Sequence, residues 1–287
     1  MVSTPERRAA TAPARTAMDK ALALKALHQQ GKTFIIANPW DRGSACLLAK
    51  AGFPALATTS AGCDFARGVR NGASGRDAIL DNAIDIDRAT DLPVSADLEQ
   101  GFGDAPEDVA ETIRRAIAAG LAGGSIEDST GKPEQPIYGF EHAVERIRAA
   151  VDVVKGQPIP FQLVARAENY LHGRRDLGDT IRRLQAFQEA GADVLYAPGL
   201  STRDELKTLI REVDRPVNVV MGLVAAEFTT VADLAALGVV RISLGSAQAR
   251  HAYGALMKGA REMLERGSFE FVADAMPFRD INMSFAP

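Results

Sequence analysis

The sequence predicts an α/β fold, a (β/α)8 TIM barrel, on three observations. Eight short apolar runs rich in β-branched residues recur from residue 33 onward, each followed by a polar turn and a stretch of helical period. The helical stretches stop repeatedly on Ala-Gly before the next run, at Gly120 and again at Gly191, which is how a helix ends before a strand. No glycine-rich turn follows the first run, where "NPWDRGS" stands, and a doubly wound nucleotide fold would carry one there.

Taken in order, a helix over about 19–30 precedes the barrel and is expected to cap its base. The strand runs are "TFIIAN" (33–38), "ALATTS" (55–60), "PVSADLE" (93–99), "GGSIED" (123–128), "FQLVAR" (161–166), "ADVLYA" (192–197), "PVNVVM" (216–221) and "VVRISL" (239–244). The helix in "APEDVAETIRRAIAAG" is expected to be capped by Asp104, with Pro106 in its first turn. Cys46 is read as a small filler facing the sheet, and Leu256, Met257, Met263 and Leu264 as helix core. Beyond the eighth helix, "FEFVADAMPFRDINMSF" carries apolar residues that a closed barrel does not need, so it is expected to pack on a neighbouring subunit. The expected division is a flexible tail over 1–17 and one barrel domain over 18–287, with 268–287 as the inter-subunit segment.

Composition narrows the function. A net charge of −4 lends no support to nucleic-acid or anionic-membrane binding. No apolar run approaches the roughly 20 residues of a membrane span. The N-terminus, rich in Ala and Arg, lacks the apolar core of a secretory signal. Two cysteines without paired spacing argue against a disulfide framework or a zinc cluster and suit the cytoplasm.

Barrel chemistry sits at the C-terminal ends of the strands. There the chain offers Asn38, Trp40 and Asp41, then Thr59, Ser60 and Gly62. Asp97 and Glu99 follow, then Glu127 and Asp128, then Arg166, Glu168 and Asn169, and last Tyr196, Asn218 and Ser243. Asp97, Glu99 and Glu127 belong to adjacent strands. Crowded carboxylates repel unless a cation lies between them, and hard oxygen donors without histidine or cysteine favour Mg²⁺ or Mn²⁺. Arg166 ends a very apolar strand, and its planar fork suits a substrate carboxylate. Asn218 is a further candidate substrate contact. None of the eight lysines ends a strand, which argues against a Schiff-base mechanism. His142, His172 and His251 stand singly on or beside helices, and Arg67 and Arg70 follow the second strand; none is given a role.

The stretches "ANPWDRGSACLLAKAGFPALATTSAG", "LPVSADLEQGFGD", "GGSIEDS", "ARAENYL" and "GADVLYAPG" resemble the isocitrate lyase / phosphoenolpyruvate mutase superfamily, over about residues 20–265. The resemblance implies a Mg²⁺-dependent barrel for small 2-oxo or 2-hydroxy acids, assembled as a homodimer or homotetramer that exchanges a C-terminal helix. It places Asp97, Glu99 and Glu127 on the metal shell and Arg166 on the substrate. It places Ser60, Ala61 and Gly62 on a carboxylate-gripping loop, and Trp40 and Asp41 on the pocket wall.

Three departures narrow the member. The loop after strand four, "STGKPEQPIYGF", has no cysteine, so the general acid of isocitrate and methylisocitrate lyases is missing. Asn71 stands where relatives carry an aspartate; it can hold a metal-bound water but cannot act as a base. The same loop has Lys132 but no asparagine, unlike the phosphonate-forming mutases. The expected activity is cleavage or decarboxylation of a small dicarboxylic acid through a pyruvate-type enolate, with Tyr196 available for proton transfer and loop 129–140 as a lid. An oxaloacetate-decarboxylase-like reaction is favoured over an alkylmalate lyase. C–P bond chemistry and a non-catalytic 2-oxoacid binder are the alternatives.

Overall fold

The eight apolar runs become eight parallel strands. The structure, a computed structural model, describes residues 15–223 and 228–285. In chain order the elements are α1 (Ala17–Gln29), β1 (Phe34–Ile35), α2 (Arg42–Lys50), β2 (Leu56–Ala57), α3 (Ser60–Ala66), α4 (Arg76–Arg88), β3 (Val94–Asp97), α5 (Pro106–Ala118), β4 (Gly123–Glu127) and α6 (Phe140–Lys155). There follow β5 (Gln162–Arg166), α7 (Leu177–Ala190), β6 (Val194–Tyr196), α8 (Arg203–Glu212), β7 (Val217–Val220), α9 (Val231–Ala235), β8 (Arg241–Ser243) and α10 (Ala247–Arg266). A 3₁₀ turn (Glu270–Asp274) and α11 (Phe278–Ser284) complete the described chain.

The strands lie in the order β1-β8-β7-β6-β5-β4-β3-β2. The two ends of that sheet meet at an isolated parallel bridge between Ala37 and Leu56, where Ala57 N–H donates to Ala37 O at 2.8 Å. The curled sheet is thereby joined into a barrel. Between strands and helices lies the main core, in which Leu56, Ile126, Leu163 and Leu195 pack with Ile113, Ile147 and Phe187 from the surrounding helices. A smaller cluster of Ala21, Leu24, Phe34 and Ile36 plugs the base. So α1 does cap the barrel, starting two residues earlier than the sequence suggests and opened by a Thr16–Asp19 capping box. The first fourteen residues of the expected tail lie outside the described residues.

Three local expectations are corrected. The cap of α5 is Ala105 rather than Asp104: Asp108 turns back to the Ala105 amide, and Asp104 instead takes Lys132 and the Tyr138 hydroxyl. Leu256, Met257, Met263 and Leu264 are not core; all four are exposed, Leu264 at 88 %. Helix α10 buries only the face carrying Ala249, Gly259 and Glu262, so its remaining apolar residues point outward. Cys46 is half-buried, and its thiol faces the Ala89 carbonyl at the end of α4 rather than the sheet. The C-terminal segment lies on its own α2, where Lys50 Nζ donates to Met283 O at 2.9 Å, yet Phe278 stays 83 % exposed.

Candidate active site

The ends of β3, β4 and β5 are fixed side by side by register, with Asp97 opposite Ser125 and Glu127 opposite Arg166. Each of the three nitrogens of Arg166 meets a carboxylate. Its Nη1 meets Asp97 Oδ1 at 3.0 Å, its Nη2 meets Glu127 Oε2 at 3.1 Å, and its Nε meets Glu168 Oε1 at 2.9 Å. The guanidinium carbon also sits 4.9 Å from the Tyr196 ring centroid. Burial works against the Arg166 charge, but Glu168, Glu127 and Asp97 outweigh it and hold the group well above its usual range. Burial pushes the carboxyls of Glu127 and Glu168 upward, and Arg166 only partly restrains them.

Asp97 is saturated. Its Oδ2 accepts from the Ser60 N–H at 3.1 Å and the Ser60 hydroxyl at 3.0 Å, while its own amide donates to Thr58 Oγ1 at 2.8 Å. Glu99 is its opposite. One oxygen, Oε1, is buried without a hydrogen-bond partner among the described residues. Burial, then the charges of Asp97 and Glu127, push its carboxyl up to about 8. Its backbone is in the left-handed region at φ 49°, a conformation that non-glycine residues adopt at a cost and that recurs at functional sites. The turn that follows is braced from outside. Arg76 and Thr112 donate to the Gly101 carbonyl, and the buried Arg146 donates to the carbonyls of Gln100, Gly103 and Asp104. These bonds fix where Glu99 points.

Among the described residues no group of three His, Cys, Asp or Glu side chains is placed so as to hold a metal, because Asp97 and Glu127 grip Arg166. The donor chemistry still fits a hard divalent cation. The orphaned Glu99 oxygen needs a cation or a proton, and Asp97, Glu127 and the fully buried Asp64 add negative charge around it.

The remaining candidates divide. Tyr196 and Asn218 line a cavity of about 50 Å³ together with Asp97, Ser125, Arg166 and Arg241. Burial raises the Tyr196 phenol, so the group stays protonated at neutral pH and is a proton donor rather than a base. Asn218 Nδ2 donates to Ser243 Oγ at 3.0 Å. Ser60, Ala61 and Gly62 form the first turn of α3 rather than a loop, with Thr59 as the cap accepting from Gly62 N–H at 3.2 Å. Trp40 and Asp41 do not line the central cavity. Asp41 caps α2 through Ser44 N–H at 2.7 Å, and Trp40 lies in an outer groove with Leu47 and Leu244. Asn71 is exposed in the turn after α3. Loop 129–140 is pinned by the Ser129–Ile137 bridge and by Asp104. Burial raises the Cys63 thiol, which argues against an activated nucleophile there.

Glycine at 62 has a packing reason. A Cβ there would fall 2.6 Å from Thr59 Cγ2 and 2.7 Å from Trp40 Cβ. Gly62→Ala is expected to destabilise by about 1–3 kcal/mol, the usual cost of overpacking, as read by urea denaturation.

Glu168, offered at the end of strand five but given no role there, belongs to the site, as do Asp64 and Arg241, which the sequence reading passed over. Glu168 is held by its amide, which donates to Asp128 Oδ1 at 2.8 Å, and Asp128 is in turn paired with Arg183 at 2.9 Å. The signals were present: an acid two residues after Arg166, an acid within the first helix turns after strand two, and a charge inside the run "VVRISL".

Similarity to known proteins agrees with this fold. The model of the phosphoenolpyruvate phosphomutase family matches residues 24–264. A crystal structure from Burkholderia cenocepacia J2315, provisionally described as a lyase/mutase, is 56 % identical, with a TM-score of 0.92 over 94 % of this chain and 97 % of its own. The 2-methylisocitrate lyase of Escherichia coli K12 is 34 % identical over 199 residues, 61 % of this chain and 64 % of that enzyme. A phosphonopyruvate hydrolase solved with oxalate and Mg²⁺ is 25 % identical, with a TM-score of 0.80 over 93 % of this chain and 94 % of its own. A parallel eight-stranded barrel with this cluster of acids around one arginine, matched by that family model over most of its length, makes the chain an enzyme of the phosphoenolpyruvate phosphomutase family, in the isocitrate lyase / phosphoenolpyruvate mutase superfamily.

Proposed function

We propose that the protein is a Mg²⁺-dependent carbon–carbon lyase or decarboxylase acting on a small 2-oxo or 2-hydroxy dicarboxylic acid, with a pyruvate-type enolate as the product-forming species. The observation that carries the reading is Arg166, a buried guanidinium at the barrel mouth gripped by Asp97, Glu127 and Glu168. Asp97, Glu99 and Glu127 would hold the ion, and Mn²⁺ would serve in its place. A bound divalent ion supplies Lewis-acid charge against the negative charge that develops on the substrate.

The chain's own residues do the rest. Arg166 is fixed on three sides, so it binds a carboxylate without having to be ordered first. Ser60 positions Asp97 by two hydrogen bonds, and Ser60, Ala61 and Gly62 form the edge against which a carboxylate would lie. Tyr196, protonated and stacked on Arg166, holds a proton within the cavity and can deliver it to an enolate carbon or oxygen. Decarboxylation asks least of such a site, because CO₂ leaves without a base. Asn71, exposed and neutral, is at most a positioning residue for bound water.

The test is pyruvate release from oxaloacetate, 2-methylisocitrate and 2,3-dimethylmalate, with and without EDTA. Metal-dependent release from at least one is expected; equal turnover in EDTA would refute the reading. C–P bond chemistry is the second reading, favoured by the likeness to a phosphonopyruvate hydrolase, and ³¹P NMR of phosphonopyruvate incubations decides it. A pocket that binds oxalate and turns over nothing would make the protein a 2-oxoacid binder. The exposed apolar residues of α10 and α11 support assembly as a homodimer or homotetramer with segment 268–287 exchanged, to be read by light scattering.

A further inference from the structure

We propose that Arg241 holds a small monoanion inside the barrel, a carboxylate or a halide, in the cavity it shares with Arg166. Arg241 opens β8 and is only 5 % exposed. Register places Glu127, Arg166, Tyr196, Asn218 and Arg241 in one row across five strands. The stagger of a barrel carries such a row from the mouth down toward the base, so both arginines face one cavity.

The two guanidinium groups differ in one respect. Arg166 has three carboxylates. Arg241 has none among the described residues: its Nε and Nη1 have no hydrogen-bond partner, and its Nη2 reaches only Ser95 Oγ, at 3.5 Å. Asp97, which lines the same cavity, is committed to Arg166 and Ser60, and the other titratable groups facing Arg241 give no counter-charge. Burial keeps the Tyr196 phenol protonated, and burial together with Arg241 itself keeps His28, on the base side, neutral down to about 3. Burial lowers Arg241 to about 10, which leaves it charged at neutral pH. A buried cation with unused donors is costly unless an anion joins it.

The surroundings fit an anion of limited size. A cavity of about 50 Å³ has room for a few water-sized groups, hence for a carboxylate or a chloride but not for a tricarboxylate. Asn218 Oδ1 is also without a partner. Turning that amide over would let Ser243 Oγ donate to Oδ1 and would direct Nδ2 into the cavity as a further donor. The anion has two possible sources, a free ion or the second carboxylate of the substrate. Occupancy by a free ion stands apart from the metal reading; only the substrate arm rests on it.

The experiment is thermal unfolding of the full chain in EDTA at constant ionic strength, with gluconate replaced stepwise by formate or chloride. Wild type is expected to show a saturable rise in Tm of several degrees, as binding to the folded state requires. Arg241→Met is expected to lose the rise, and Arg241→Lys to need about tenfold more anion, the loss of one charge-assisted hydrogen bond. No saturable rise in wild type, or the same rise in either variant, overturns the proposal, and the wild-type and Lys arms decide it even where the Met variant does not fold. With a substrate that turns over, formate raising KM in wild type but not in Arg241→Met assigns the site to the substrate's second carboxylate. Anion activation that vanishes in the variant assigns it to a resident ion. Failure of turnover leaves the unfolding arm intact, so the two readings fail separately.

Discussion

Replacing Arg166 by methionine is expected to abolish activity, with kcat/KM falling by about 10³-fold or more, because it removes both the carboxylate fork and the group that positions the acids. Stability is expected to fall as well, by about 3–5 kcal/mol near pH 8, the usual cost of stripping one partner from a buried ionic cluster. The pH dependence identifies the cause. Burial raises Glu127 and Glu168 even with the arginine present, and without it they rise further. A carboxyl whose folded pKa lies above its unfolded value contributes stability that is complete at low pH and is lost as pH rises through the folded value. The variant should therefore recover toward wild type as pH is lowered to about 5.5. Chemical denaturation at pH 5.5 and pH 8 measures this; an equal deficit at both would mean that lost packing, not uncompensated charge, sets the cost.

The second large effect concerns Glu99. A carboxyl pushed up to about 8 carries a proton at neutral pH, and an ion bound there must displace it. Apparent Mg²⁺ affinity is expected to climb by up to about tenfold per unit between pH 6 and pH 8 and to level off above that. Calorimetry in buffers of different ionisation heat should register up to one proton released per ion at pH 7. In EDTA the sign reverses for folding: the Glu99 contribution is full below its ordinary 4.5 and is lost as pH rises through about 8, so the metal-free protein should lose Tm over that window. Glu99→Gln should flatten both profiles. An affinity independent of pH in the wild type would mean that Glu99 is not a ligand.

The barrel was readable because burial on both faces forces parallel strands to be short runs of β-branched residues, and all eight were found where such runs occur. The acids were readable because charge at a strand end has few structural uses. Their arrangement was not. Asp97 and Glu99 share a face only while β3 continues, but the strand stops at Asp97 and Glu99 turns into the left-handed region, so one acid pairs with Arg166 and the other keeps one buried oxygen without a hydrogen-bond partner among the described residues. Helical period places apolar residues on one side of α10 but cannot say whether that side meets the barrel, and Leu264 and Leu256 face outward. Arg241 was hidden because an inward charge and an outward one look alike in an apolar run; only the register through Asn218 and Tyr196 reveals its direction.

The barrel's closure has a consequence for how solvent and small solutes reach its centre. Neighbouring strands elsewhere share ladders of two to five residue pairs, whereas the first and second strands are joined by the single Ala37–Leu56 pairing. That join is the thinnest stave in the cask. Asn38 and Thr58, which flank it, are tied side chain to carbonyl at 3.1 Å and line the inner chamber. Transient parting there would admit an ion to Arg241 by a side door, without disturbing the mouth. Amide hydrogen exchange should find Ala57 among the fastest of the strand amides, ahead of those between β4 and β5.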